Sequence, residues 1–195
     1  MKMFKGTKGT IIFIFLVFLV LGYYFYLSNR SRPEITDEVS VETMTESQKA
    51  LSRNLESNYP PSPREVVKYF SEITSCYYNE EHTDEELRAL GLKMRKIYDD
   101  ELVANQTEEA YLDLLKKDVE EYKQNNRTIA SYSPSSSVDV ETFSEDGYEW
   151  ARLYCVYDIK QDALLHQTNL VFILRKDANS HYKIYGWKAI KNENQ

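Results

Sequence analysis

Apolar and polar positions divide the chain into an unbroken hydrophobic run, a polar interval, and a long segment whose periodicity changes from helical to strand-like. Residues 11–27 (IIFIFLVFLVLGYYFYL) are 17 consecutive positions without a charge. At about 1.5 Å per residue they span about 25 Å, the lower end of what crosses a hydrocarbon core. Tyr23, Tyr24 and Tyr26 place rings suited to the headgroup level. The competing reading is a cleavable signal peptide. Against it, the run ends in bulky Tyr-Tyr-Phe-Tyr-Leu, and no small-x-small cleavage site follows. A core helix is rarely apolar on every face. Residues 1–30 are therefore expected to form a short tail and a single-pass anchor, meeting the lipid bilayer through residues 11–27. Residues 31–58 are polar and read as a stalk in which Lys49–Leu55 has the composition of a short helix.

The segment 59–195 opens with helical signals. Ser62, Pro63 and Glu65 make an N-cap, first-turn proline and capping box. Val66, Phe70, Ile73 and Tyr77 then repeat at helical spacing, and Asn79 ends the run. Thr83 with Glu86 forms a second capping box, followed by the stripe Leu87, Leu90, Met94, Ile97 and Leu102. A third helix begins near Thr107, with Tyr111, Leu114, Leu115, Val119 and Tyr122 on one side. From Asn126 onward β-branched and aromatic residues alternate with polar ones. The predicted strands are Thr128–Tyr132, Val138–Phe143, Tyr148–Ile159, Thr168–Lys176 and Tyr182–Ala189, with turns at Asp146-Gly147 and Asp177–Ser180. Helices first and an antiparallel meander afterwards is an α+β order. The expected core is Phe70, Ile73, Leu90, Met94, Ile97, Leu114, Leu115, Leu153, Leu170, Phe172, Leu174, Ile184 and Trp187.

Charge adds orientation and exclusions. Lys2, Lys5, Lys8 and the terminal amine precede the hydrophobic run, whereas Arg30 and Arg32 follow it. That bias predicts a cytoplasmic N-terminus and an extracytoplasmic domain. All 31 acidic residues lie after residue 33 with 19 of the 24 lysines and arginines, so this part carries a formal −12. Such a surface repels polyanions and argues against nucleic acid as a partner. The acids concentrate in residues 63–125, 16 against 9 bases, as expected of solvated helical faces. Two readings stand for Cys76 and Cys155, a disulfide in an oxidising compartment or two buried thiols. Asn105-Gln-Thr107 and Asn126-Arg-Thr128 match the glycosylation sequon.

Three helices followed by a bent antiparallel sheet, closing on Phe172-Ile-Leu-Arg-Lys-Asp-Ala-Asn-Ser-His-Tyr-Lys-Ile-Tyr-Gly-Trp187, resembles the nuclear-transport-factor-2-like (cystatin-like) cone over Ser62–Lys188. Asn58–Val66, Tyr77–Glu81 and Met94–Leu102, behind an N-terminal anchor, are similar to an uncharacterised family of Gram-positive bacterial membrane-anchored proteins. The first resemblance implies a pocket between sheet and helices. Its members include ketosteroid isomerase, scytalone dehydratase, small-molecule binders and dimerising adaptors, so fold alone does not choose a function.

Enzymes of that fold aim a carboxylate or imidazole at an acidic C–H and stabilise the oxyanion with a phenol or an acid. Neighbouring Tyr and Asp occur at Tyr154, Tyr157 and Asp158, and at Tyr98, Asp99 and Asp100. With 13 tyrosines after residue 33, such neighbours arise readily in an aromatic core with solvated acids. His82, His166 and His181 sit in a charged turn, a polar loop and a hairpin turn, without metal-ligand spacing. No catalytic, cofactor or metal motif stands out. The expected pocket residues are Tyr77, Tyr98, Tyr154, Asp158 and Trp187. The expected function is a binding or interaction domain for a small apolar ligand or an envelope protein, with a homodimer through the sheet as one arrangement. The alternative is an isomerase- or dehydratase-like enzyme using a Tyr/Asp pair.

Overall fold

Helices precede strands in the computed structural model, which describes residues 44–190. The hydrophobic run at 11–27 lies outside them, as does the stalk up to residue 43. Among the described residues no helix is long and apolar enough to cross a membrane.

The first helix, α1 (Glu46–Ser52), begins on a reciprocal capping box between Thr45 and Gln48. α2 (Pro63–Asn79) starts at Ser62, whose side chain accepts from the Glu65 backbone N–H at 3.3 Å. The return half of the expected box is absent, because Glu65 pairs with Arg64 instead. α3 (Asp84–Arg95) carries the expected Thr83/Glu86 box. α4 (Asp100–Ala104) is capped by Asp99, and α5 (Glu108–Gln124) by Thr107.

The sheet is antiparallel and five-stranded, organised around β3 (Tyr148–Gln161). β1 (Arg127–Pro134) and β2 (Glu141–Glu145) share one edge of β3, β1 along its second half and β2 along its first. β4 (Leu164–Lys176) lies on the other edge, followed by β5 (Tyr182–Ile190). Alternation along β3 puts Ala151, Leu153, Cys155 and Tyr157 on the buried face, with Arg152, Tyr154 and Asp158 opposite. Ser71 of α2 touches Tyr157 Oη at 2.5 Å, so the buried face is the one the helices cover. Bulges beside Ile129 in β1 and beside Ile173 in β4–β5 bend the outer strands. Gly147, at φ 81°, completes the β2–β3 turn in a conformation that favours glycine.

Several boundaries differ from the sequence pattern, each for an identifiable reason. Residues 45–58 are packed into the domain rather than forming the end of a stalk. Ala50 and Leu55 are buried, Tyr69 Oη donates to Ala50 O at 2.9 Å, and Lys93 Nζ donates to Leu51 O at 2.9 Å. A few small apolar residues suffice there because the partners come from distant segments. The second helix stops at Arg95, and Leu102 belongs to α4. Between them Ile97–Asp99 joins the edge of β5: Ile184 N donates to Ile97 O and Asp99 N to Ile184 O, both at 2.9 Å. With α1 near the short helix expected at Lys49–Leu55 and α4 divided from the second helix, the described residues hold five helices. Ser137–Asp139 is a short 3-10 turn, and its strand begins only at Glu141. β4 begins at Leu164, earlier than predicted, because Asp162 (φ 53°) and Ala163 make a two-residue hairpin turn. His166 is therefore paired with Ile159 on a strand and not in a loop.

Most of the expected core is buried, including Phe70, Ile73, Leu90, Met94, Ile97, Leu115, Leu153, Phe172, Leu174 and Ile184. Leu114 and Trp187 are not, at 56% and 40% exposed, and Leu170 is half-buried. All three belong to a cavity wall and not to the solid core.

Cys76 and Cys155 are buried free thiols. Burial pushes the Cys76 thiol up to about 11 and raises Cys155 as well. Because the thiolate is the nucleophile, both are expected to resist iodoacetamide in the folded chain and to react together in denaturant. Rapid labelling of either without denaturant, read by mass spectrometry, would contradict this packing.

Candidate functional site

Between the inner sheet face and the helices lies a cavity of about 560 Å³, within the size range of small-molecule sites. α2 contributes Phe70, Thr74, Tyr77 and Tyr78; the end of α3 contributes Met94 and Arg95, followed by Tyr98. α5 supplies Tyr111, Leu114, Leu115, Asp118 and Tyr122. The sheet supplies Ile129, Tyr157, Ile159, Thr168, Leu170 and Trp187 as a floor. The α3–α5 wall is tight because Gly91 has no side chain. A Cβ there would lie 2.8 Å from Leu112 Cδ2 and 3.0 Å from Leu115 Cδ2.

Three phenols meet in the interior of this wall. Tyr111 presents its hydroxyl toward those of Tyr77 and Tyr98. At Tyr77, however, no contact closes to hydrogen-bonding geometry: this oxygen is buried and has no partner among the described residues. Burial, with the adjacent phenols, holds Tyr77 and Tyr98 well above the ordinary tyrosine range, and burial raises Tyr111 also. All three are neutral hydroxyls at physiological pH and can donate. An orphaned buried hydroxyl costs about 1–3 kcal/mol, and this one is enclosed behind a lining that also carries Thr74, Arg95, Asp118 and Thr168.

Around the phenols the lining is aromatic. Trp187 packs edge-on to Phe70 at 5.0 Å and lies 5.6 Å from Tyr98. Toward solvent, Tyr78 stacks on Tyr122 at 3.8 Å and donates to the exposed Asp118 carboxylate. Since Trp187 retains 40% of its exposure, Trp187→Ala is expected to lower stability by only about 1–2 kcal/mol. A thermal melt of the variant checks this, and a loss of about 3–5 kcal/mol would place the indole in the core instead.

Of the residues the sequence pointed to, Tyr77, Tyr98 and Trp187 come together at this cavity. Tyr154 and Asp158 do not. Strand alternation turns both outward from β3, where Asp158 accepts from Ser131 Oγ at 2.6 Å and Gln167 Nε2 at 3.3 Å. Asp99 is buried in an ion pair with Arg175, and Asp100 is exposed. His82 meets Cys76 O at 2.8 Å, and His181 stacks on Tyr59 at 4.2 Å. Among the described residues no group of three His, Cys, Asp or Glu side chains could hold a metal ion. Sequence reasoning passed over Arg95, and it read Tyr111 as a stripe residue. The available signal was a tyrosine at an inward position on α2 and on α5, since buried phenols usually seek partners.

A family model described as Domain of unknown function (DUF6715) matches residues 1–187. The chain belongs to this family. The matched span takes in the hydrophobic run together with the folded unit and ends at Trp187, the cavity residue on β5. No curated protein matches the chain.

Proposed function

We propose that this chain is a binding protein whose α+β domain is a cone of the nuclear-transport-factor-2-like kind, taking a small apolar ligand between helices and sheet. Residues 11–27 would tether it to a membrane with the domain on the outer side, a reading that rests on hydropathy and flanking charge. The observation that carries the binding reading is the aromatic cavity of about 560 Å³ between helices and sheet, on whose floor Trp187 stays 40% exposed. An apolar ligand seated there would take that aromatic surface out of water.

The enzymatic alternative needs a carboxyl group shielded from water inside the cone. The acid on this wall, Asp118, is exposed and already engaged by Tyr78, so binding is the better supported reading. The outer sheet face offers a second surface. Tyr154 and Ile190 are exposed there beside Val171 and Ile173, which favours a second copy of the chain docking on the sheet. Sedimentation with Tyr154→Glu tests that contact: a dimer in the native chain, lost in the variant, is the expected result.

For the cavity, N-phenylnaphthylamine is titrated against the full chain and against Leu170→Trp, which fills the floor. A fluorescence increase in the native chain, abolished by Leu170→Trp, is expected. Equal signals from the two proteins would refute binding in the cone.

A further inference from the structure

Arg95 is the one lysine or arginine among the described residues that line the cavity. Arg64, Arg88, Arg152 and Arg175 each pair with a carboxylate, whereas Arg53 and Arg127, away from the cavity lining, lie over tyrosine rings without one. The Arg95 guanidinium likewise lies over the Tyr111 ring, with Cζ 5.2 Å from the centroid, and reaches a backbone carbonyl, Val103 O, only at 3.4 Å. No carboxylate balances it among the described residues. Four of its five N–H donors therefore remain for another partner.

Its position couples it to the phenol cluster. Tyr111 carries Arg95 on its ring face and directs its hydroxyl toward Tyr77 and Tyr98. One end of the cavity thus offers a cation, and aromatic surface extends from it into the interior. In residues 59–195, of formal −8, a cation without an ion pair on a largely aromatic cavity wall, whose acidic member is Asp118, selects for charge. The arrangement matches an amphiphile with an anionic head and a hydrocarbon or aromatic body.

We infer that the cavity takes an apolar carboxylic acid, its carboxylate held by Arg95 and its body packed among Phe70, Tyr98, Leu170 and Trp187. A planar guanidinium suits this task because it can meet both carboxylate oxygens at once, whereas an ammonium acts as a point charge. The inference rests on the binding reading proposed above and specifies the chemical class of ligand.

The test is displacement of N-phenylnaphthylamine from the full chain by decanoate and by decanol, which share a chain length and differ in head-group charge. Decanoate is expected to displace the probe at a concentration about tenfold lower than decanol, the low end for a charge-assisted pair at a half-exposed arginine. In Arg95→Gln the two competitors should become equivalent, with decanol itself unchanged. Arg95→Lys, which retains the charge, should recover part of the preference. Equal displacement by both competitors in the native chain, or a preference that survives Arg95→Gln, would overturn the assignment to Arg95 while leaving the binding reading intact. Failure of the probe to bind the cavity at all would overturn both.

Discussion

Asp99→Ala is expected to destabilise the folded unit by about 3–5 kcal/mol, the loss typical of breaking a buried ion pair from one side. Asp99 is 4% exposed, and its carboxylate accepts from Arg175 Nη2 at 2.5 Å and Nε at 2.9 Å. It also caps α4 by accepting from the Glu101 backbone N–H at 3.0 Å. Arg175 cannot easily turn to water once the pair is broken. Its guanidinium is enclosed by Tyr148, Tyr185 and Trp150, at 4.7, 5.1 and 5.6 Å from the ring centroids. The Asp99 hydrogen bonds, more than any other contact, hold Arg175 protonated beyond its ordinary range. Urea unfolding of the full chain measures the loss. Glu101→Ala is the internal contrast: that residue also contacts Arg175, at 2.6 Å, but is exposed, so it should change stability by less than about 1 kcal/mol. Combining Asp99→Asn with Arg175→Met should recover much of the loss, because the uncompensated charge is then gone. A small effect of Asp99→Ala alone would mean that Arg175 escapes to solvent.

That cluster shows where sequence reading ends. The caps at Ser62 and Thr83 and the helical stripes were legible because they depend on residues three or four positions apart. β3 was legible from alternation over 14 residues. The Asp99–Arg175 pair joins residues 76 positions apart, through the Ile97–Asp99 segment that leaves a helical pattern to complete the edge of β5. No local period announces such a contact. The same limit applies to the cavity. Strand register decides that Tyr157 faces inward and Asp158 outward, and the pair looks interchangeable until the strand's partners are known. Tyr77 and Tyr98 could be singled out as inward aromatics. That the Tyr77 hydroxyl would lack a partner depends on where α5 places Tyr111. Arg95, a basic residue in the last turn of α3, looked like ordinary helix-end charge. Only the cavity gives it another use.

Tyr77→Phe should raise the stability of the unliganded chain by about 1 kcal/mol, the reverse of what losing a buried tyrosine hydroxyl usually does. The usual loss arises because the hydroxyl is hydrogen-bonded and its partner is stranded. Tyr69 is such a case: its Oη donates to Ala50 O at 2.9 Å inside the core, so Tyr69→Phe should cost about 1 kcal/mol. The Tyr77 oxygen has no partner to strand. Deleting it removes a desolvated dipole and keeps the ring, which is 4% exposed and continues to pack. Urea midpoints for the two variants should therefore move in opposite directions from the native chain. Ligand binding then separates a packing fault from a functional group. Because the oxygen is enclosed behind the cavity lining, Tyr77→Phe should leave displacement of N-phenylnaphthylamine by decanol unchanged as its stability rises. A gain in stability with unchanged affinity marks the hydroxyl as a packing defect, whereas lost affinity would show that the wall opens to present it to the ligand. A loss of stability would show instead that Tyr111 closes a true hydrogen bond to it.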